Sequence, residues 1–234
     1  MGIDIVALQA ILISIKSVQN KQQMLTLGRQ GIHIDNTTIH KIFNINNIVN
    51  TYNSELGEYC EKFFLHHFNF NEVNSIDNSS YENATIIHNL NKPMSITKRY
   101  DYIYDGGTIE HIFNIPQALE NIINLLKING IYCSVTCNNN FSGHGIYQFS
   151  PELFLSTFNE KYGMKILSLY LAKNHTPFAE WIDVNSYTGY RNLSKINTLD
   201  EVYIIVIAMK ISDNRKSLIE EPPNQYNYEE IDWK

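Results

Sequence analysis

Apolar positions along the chain follow two periods, one typical of helices and one typical of strands. Helical spacing predicts helices over residues 5–18, 35–49, 55–68 and 115–126, and Ser150 followed by Pro151 predicts the start of another. Short apolar runs predict strands over residues 24–27, 72–77, 84–88, 100–105, 131–137, 164–172 and 202–211. Asp35 is expected to cap its helix, and Asn129-Gly130 is expected to form the turn before the strand at residue 131.

The alternation of strands and helices predicts an α/β fold with a doubly wound, mostly parallel sheet. The last two strands are expected to form an antiparallel pair that closes this sheet. Because no repeat or linker interrupts the chain, we expect one domain over residues 1–211, with a leading helix within residues 1–20. Residues 212–234 include Pro222-Pro223 and several acidic residues, and they are expected to form an acidic tail.

Composition excludes several classes of protein. The 234 residues include 18 Lys plus Arg against 24 Asp plus Glu, and a net charge of -6 argues against a general nucleic-acid binder. No apolar run approaches the roughly 20 residues of a membrane-spanning helix. The first residues lack the pattern of an export signal, because Asp4 stands where such a signal is positively charged. We therefore expect a cytoplasmic protein that interacts with neither nucleic acid nor membrane.

Three cysteines are too few for a disulfide framework. Cys133 and Cys137 fall on one face of a predicted strand, where buried thiols are the favoured interpretation and a metal-binding pair is the alternative. No second cysteine or histidine pair has suitable spacing, so no metal site is expected.

Polar residues and glycines follow each predicted strand at its carboxyl end. In an open parallel sheet these ends form the edge at which ligands bind. The segments at this edge are Gly28-Arg29-Gln30-Gly31, Asp77, His88-Asn89, Asp105-Gly106-Gly107 and residues 138–147. A Gly-x-Gly-x-x-Gly fingerprint after the first strand is absent, which disfavours a nicotinamide-dependent oxidoreductase.

Residues 100–112, with the sequence YDYIYDGGTIEHI, resemble the fourth-strand segment of class I S-adenosylmethionine-dependent methyltransferases, which leads into a Leu-Glu-His motif. The sequence LKING at 126–130 resembles the family's Leu-Lys-Pro-Gly-Gly turn into the fifth strand. Residues 139–152, NNFSGHGIYQFSPE, resemble a bacterial branch with a degenerate first motif, some of whose members are associated with surface-polysaccharide genes. The resemblance spans about residues 20–175 and implies a Rossmann-like fold.

The resemblance implies that the cofactor is S-adenosylmethionine, with S-adenosylhomocysteine as the product. In the family, an acid and Gly-x-Gly-x-Gly form the first motif; here the corresponding turn lacks the acid and contains Arg29 and Gln30 instead. Arg29 is a candidate partner for the cofactor's carboxylate. The implied cofactor-binding residues are Gly28, Arg29, Gln30, Asp77, Asn89, Asp105, Gly106 and Gly107.

Two of these positions carry specific expectations. Asp77 would accept hydrogen bonds from both ribose hydroxyls, or would be a turn or cap residue before Asn78. Asn89 matches a position that contacts the adenine amine in the family, and Asn91 is close enough to compete for this role.

The expected catalytic residues are His144, Glu110, His111 and Tyr147. His144 lies between two glycines after the fifth strand, where an imidazole could remove the proton of a hydroxyl acceptor. The alternative is that His144 hydrogen-bonds the backbone, and Glu110 and His111 have the corresponding alternative of holding their own loop in place.

The resemblance thus implies a methyltransferase that modifies an oxygen, with a nitrogen as the alternative, of a small or activated-glycan acceptor; the branch implies capsule or lipopolysaccharide biosynthesis. The alternative is a methyltransferase-like binding or partner subunit without turnover, which the degenerate first motif favours. An oligomer is compatible with the sequence, which leaves the oligomeric state open.

Overall fold

An eight-stranded sheet organises the residues that the computed structural model describes, which are 2–95, 97–174, 176–184 and 198–224. The helices are α1 (Ile5–Ser14), α2 (Asn36–Ile45), α3 (Glu61–Phe68), α4 (Ile115–Leu125) and α5 (Pro151–Thr157). The strands are β1 (Gly2–Ile3), β2 (Gln23–Leu27), β3 (Gly31–Ile32), β4 (Glu72–Asp77), β5 (Ile86–Ile87), β6 (Tyr100–Asp105), β7 (Leu126–Asn139), β8 (Met164–Lys173), β9 (Ile182–Asp183) and β10 (Val202–Lys210).

The sheet has the strand order β5-β4-β2-β6-β7-β10-β8-β9. The strands from β5 to β7 are parallel, whereas β10 is antiparallel to both of its neighbours, β7 and β8. Strands β1 and β3 form a separate parallel pair. The expected α/β, Rossmann-like, mostly parallel sheet that ends in an antiparallel C-terminal pair is therefore confirmed.

Helices cover both faces of the sheet and divide the core in two. On one face, α1, α2 and α3 bury side chains such as Ile11 and Phe63 against β6 and β7. On the other face, α4 and α5 bury side chains such as Leu119 and Phe154. Within the described ranges, no helix has the length and the apolar character to cross a bilayer.

Two helix starts follow the caps that the sequence predicts. The Asp35 carboxylate accepts a hydrogen bond from the Thr38 amide, and the Ser150 hydroxyl accepts one from the Glu152 amide. Each cap satisfies a backbone N–H that has no partner within its helix.

The helix predicted over residues 55–68 starts only at Glu61, so the first part of this prediction is wrong. The backbone before Glu61 is bonded to the segment around β3, because Ile32 N donates to Glu58 O and Cys60 N donates to Gln30 O. A backbone that pairs in this way cannot also form helical hydrogen bonds.

Asn129-Gly130 does not separate α4 from β7, which begins directly at Leu126. Asn129 has a φ of 65°, and a Cβ on Gly130 would lie 2.9 Å from Tyr100 O. The pairing of β6 with β7 shifts register between Tyr100 and Tyr102. The expected turn is therefore an irregularity inside a long strand.

Described residues beyond 211 pack against the domain. Arg215 pairs with Glu120 of α4 at 2.7 Å, and Leu218 is 2% exposed. The Tyr162 hydroxyl donates to Glu221 O at 2.8 Å. The part of the expected tail after residue 224 lies outside the described residues.

All three cysteines are buried free thiols. The expectation of buried thiols at Cys133 and Cys137 is therefore confirmed.

His67 gives the fold a pH-dependent stability. Its side chain is 9% exposed and lies against Phe43 and Phe63, with ring centroids 4.9 and 4.8 Å away. This burial lowers the pKa of His67 from 6.5 to about 4. As the pH falls, the His67 imidazole of the unfolded chain takes up a proton before that of the folded chain does. The contribution of His67 to the free energy of unfolding is therefore fully present above pH 6.5 and is lost as the pH falls toward 4.

We expect the loss to reach about 3 kcal/mol below pH 4. Urea unfolding of His67→Leu should show a smaller fall in stability between pH 6.5 and 4 than the unchanged protein. The exposed neighbour supplies a control, because His66→Leu should keep the original pH dependence. Equal pH dependence in His67→Leu and the unchanged protein would contradict this assignment.

Candidate cofactor cleft and adjacent buried cluster

A cleft of about 450 Å³ opens at the carboxyl ends of β2, β4 and β6. In the sheet, β4 lies on one side of β2 and β6 lies on the other. The direction in which strands are added to the sheet therefore reverses at β2. Such a reversal leaves a crevice between the loops that follow the two central strands. Six of the predicted cofactor-binding residues line it: Gly28, Arg29, Gln30, Asp77, Asn89 and Gly107.

The turn after β2 is closed by side chains instead of by bare glycine backbone. Gly28 has a φ of 67°, and its N–H donates to Ile76 O at 2.8 Å. The Gln30 amide nitrogen donates to Leu27 O and to Thr108 Oγ1. The Gln30 Oε1 atom is buried and has no hydrogen-bond partner among the described residues; it lies on the side of Gly106, where a Cβ would come within 2.8 Å of it.

Arg29 is already engaged by protein groups. Its Nε lies 2.7 Å from Glu61 Oε1, and its Nη1 donates to Glu82 O at 2.7 Å. The guanidinium carbon lies 4.0 Å from the centre of the Tyr59 ring. Glu61 balances the charge of Arg29, which weakens the prediction that this guanidinium holds the cofactor's carboxylate.

Asp77 ends β4 and lines the cleft. Its Oδ1 accepts a hydrogen bond from Ser79 N at 3.0 Å, which is the turn interaction that the sequence left as an alternative. A carboxylate has two oxygens with about four acceptor sites, so this turn and ribose binding are compatible. The ribose role stays a prediction.

The carbonyl of the Asn89 side chain is occupied within its own loop. Asn89 Oδ1 accepts from the backbone N–H and from the side-chain Nδ2 of Asn91, each at 2.9 Å. The group that Asn89 has left for a ligand is its Nδ2 donor, which suits a ring nitrogen better than the adenine amine.

Asp105 and Gly106 do not line the cleft. Asp105 is 0% exposed and accepts from Thr108 N, Tyr132 OH and Ser134 Oγ at 2.8, 2.9 and 3.0 Å. Burial, reinforced by the charge of Glu110, raises the pKa of Asp105 to about 7. Gly106 is covered, because a Cβ there would lie 2.8 Å from Gln30 Oε1. The expectation that both residues line the cofactor channel is therefore corrected.

Glu110 is also buried away from the cleft. Its Oε2 accepts a hydrogen bond from Thr136 Oγ1 at 2.7 Å, and its Oε1 lies 3.6 Å from Cys137 Sγ and 3.9 Å from His144 Nε2. Burial raises the pKa of this carboxyl group. Neither Glu110 nor His144 lines the cleft, so the structure does not place them where a catalytic group would contact bound substrate.

The two remaining catalytic candidates are in different places. His111 lines the cleft, and burial lowers the pKa of its imidazole. Tyr147 lies in a separate apolar cavity of about 500 Å³, and its hydroxyl donates to Phe113 O at 3.0 Å. Of the four predicted catalytic residues, His111 is the one beside the cleft.

Sequence reasoning missed Thr108 and Glu61. Thr108 lines the cleft, and its hydroxyl donates to Leu27 O at 2.6 Å. Its position directly after Gly106-Gly107 was a signal that could have identified it. Glu61 forms an ion pair with Arg29, which lies 32 residues earlier in the chain, and no local sequence pattern predicts a contact over that separation.

Comparisons with known proteins address the fold. No family model matches the chain, and no curated protein matches it. TehB from Haemophilus influenzae is 14% identical over 85% of this chain and 61% of its own length, with a TM-score of 0.44. The chain therefore spans less than two thirds of TehB.

Two further solved structures carry S-adenosyl-L-homocysteine. The N-methyltransferase NodS from Bradyrhizobium japonicum WM9 is 10% identical over 88% of this chain and 85% of its own, with a TM-score of 0.49. The plantazolicin methyltransferase BpumL is 13% identical over 88% of this chain and 83% of its own, with a TM-score of 0.46. At these identities the likeness concerns the fold alone.

Gly28 should tolerate alanine less well than another left-handed glycine does. A Cβ on Gly28 would lie 2.9 Å from Thr108 Oγ1, whereas a Cβ on Gly57, with a φ of 84°, would have nothing within 4 Å. We expect Gly57→Ala to cost about 1 kcal/mol of stability from backbone strain. Gly28→Ala should cost about 1 kcal/mol more, because Thr108 must move. Equal urea midpoints for the two variants would rule out this close packing.

Proposed function

We propose that this chain is an S-adenosylmethionine-dependent methyltransferase whose cofactor binds in the cleft beside β2. The observation that carries the proposal is the Asp77 carboxylate at the end of β4, facing a cleft bounded by the turn after β2. Ribose hydroxyls need an acceptor at this edge of a doubly wound sheet.

The chemistry of the cleft fits an adenosyl sulfonium compound. Asp77 supplies acceptors for a ribose diol. Asn89 supplies a donor for a ring nitrogen. A volume of about 450 Å³ lies in the range of small-molecule sites.

The cofactor, when bound, supplies an electrophilic methyl group. The residues of this chain then have to orient the two reactants and exclude water, which is the main contribution of a protein to such a displacement. Gly107 has a φ of 89° and allows the backbone to come close to a ligand. His111 lines the same cleft and is our candidate for contact with the acceptor.

For the acceptor, we propose an oxygen of a small or activated-glycan molecule, as in capsule or lipopolysaccharide precursors. The support is the resemblance of residues 139–152 to a branch associated with surface-polysaccharide genes. In this segment, His144 lies beside the cleft-lining His111, with the two ring centroids 5.2 Å apart.

The second candidate function is a binding or partner subunit without turnover. Two observations favour it: the turn after β2 is filled by Gln30, and the charge of Arg29 is balanced by Glu61. Either feature could leave a cleft that retains a ligand but does not align it for transfer.

Calorimetry with S-adenosylhomocysteine tests the cofactor site. We expect binding in the unchanged protein and at least tenfold weaker binding in Asp77→Asn, because the amide loses acceptor capacity toward the ribose hydroxyls. Glu72→Gln is the matched control, since Glu72 begins the same strand and lies at the opposite edge of the sheet. Its affinity should equal that of the unchanged protein.

Absence of S-adenosylhomocysteine binding, with stabilisation by NADH instead, would overturn the proposal in favour of an oxidoreductase. If Asp77→Asn and Glu72→Gln lose the same amount of affinity for S-adenosylhomocysteine, Asp77 does not bind the ribose hydroxyls.

Turnover is tested with isotopically labelled S-adenosylmethionine and a panel of nucleotide sugars. We expect a methylated product, and we expect His111→Ala to lower its rate at least tenfold while S-adenosylhomocysteine affinity changes much less. Binding of S-adenosylhomocysteine without any methylated product would favour the partner-subunit function.

A further inference from the structure

Glu110, Cys137 and His144 form a cluster of three different metal-ligand types outside the proposed cofactor cleft; we call it the Glu-Cys-His cluster. One donor atom from each residue lies within 4.8 Å of the other two. Glu110 Oε1 is 3.6 Å from Cys137 Sγ and 3.9 Å from His144 Nε2. Glu110 and Cys137 are fully buried, whereas the His144 side chain is 34% exposed.

We propose that the Glu-Cys-His cluster binds a divalent transition-metal ion of the zinc class. Zinc bonds to sulfur, nitrogen and oxygen at 2.0–2.3 Å in tetrahedral geometry, which places neighbouring ligand atoms about 3.3 to 3.6 Å apart. The 3.6 Å between Glu110 Oε1 and Cys137 Sγ, across which the thiol donates a hydrogen bond, lies within this range. The 3.9 Å between Glu110 Oε1 and His144 Nε2 is slightly longer, so the partly exposed imidazole has to move a few tenths of an ångström toward a bound ion. A thiolate ligand favours zinc or cobalt over the hard ions magnesium and calcium.

The surroundings of the Glu-Cys-His cluster hold its ligands in place. Thr136 Oγ1 donates to Glu110 Oε2 and so leaves Oε1 facing Cys137 and His144. The backbone oxygen of Glu110 accepts from Ile146 N at 2.9 Å, which fastens the loop that carries His144. Partners of this kind orient metal ligands in known sites.

Burial supplies a reason for a cation at this position. A buried carboxylate loses its hydration, and an adjacent positive charge offsets that cost. Among the ion pairs of the described residues, the pairing of Glu110 is with His144 alone, at 3.9 Å. A metal ion between Glu110, Cys137 and His144 would replace the thiol proton of Cys137, which is released to solvent, and would neutralise the carboxylate and the resulting thiolate.

The three ligands come from three different elements, and Glu110 precedes Cys137 by 27 residues, so they do not form a recognisable local metal-binding motif. Glu110 lies in a helical turn after β6, Cys137 lies in β7, and His144 lies in the following loop. Three protein ligands leave a fourth tetrahedral position open for water or another ligand. The ring of His111, which lines the cleft, lies 5.2 Å from the ring of His144. The metal site does not depend on the identity of the ligand in the cleft.

Cobalt titration of chelator-treated protein tests the site. We expect one equivalent of Co²⁺ to bind with visible bands of tetrahedral cobalt and a thiolate-to-cobalt charge-transfer band, and we expect Zn²⁺ to abolish both. Cys137→Ser should lose the charge-transfer band. Cys133→Ser is the matched control, because Cys133 is an equally buried thiol on the same strand, and this variant should keep the band.

His144→Ala changes a partly exposed residue and should weaken Co²⁺ binding at least tenfold with little effect on folding. If Cys137→Ser does not fold, this variant decides the question. The proposal is overturned if the unchanged protein shows no charge-transfer band at stoichiometric Co²⁺, if the band survives in Cys137→Ser, or if His144→Ala binds Co²⁺ as tightly as the unchanged protein.

Discussion

The buried carboxylate of Asp105 is the constraint on which the carboxyl edge of the sheet depends. It accepts hydrogen bonds from Thr108 N and from the hydroxyls of Tyr132 and Ser134, and so joins the end of β6 to β7 and to the following turn. Thr108, held in this way, donates to Leu27 O at the end of β2. The ends of β2 and β6 and the middle of β7 are thus fixed to one another beside the proposed cofactor cleft.

The elements that sequence analysis predicted well are those whose local pattern and long-range contacts agree. All six residues of β6 are buried and a Gly-Gly pair follows them, so the pattern and the structure give the same strand. The first part of the helix predicted over residues 55–68 failed for the opposite reason. Residues before Glu61 have a helical pattern, but their backbone pairs with the segment around β3, and no local signal records that contact.

The position of the proposed cofactor cleft was predictable from the topology. Which side chains face the cleft and which are buried in the core was not. Polar residues at strand ends must share one edge, and this places Gly28, Asp77 and Gly107 around one cleft. The same rule does not say which side chains turn into the core. Asp105 and Glu110 do so because hydroxyl groups from β7 meet them there, and those partners lie more than twenty residues away.

The contact between Gln30 and Thr108 joins positions 78 residues apart. Bringing together the ends of so long a segment costs chain entropy before any stabilising contact forms. We therefore expect the contact between the ends of β2 and β6 to form late in folding. Until β6 docks, β2 exposes an unpaired backbone edge that can pair with other chains. The arrangement that brings the two segments together therefore leaves β2 open to pairing with other chains until β6 has docked.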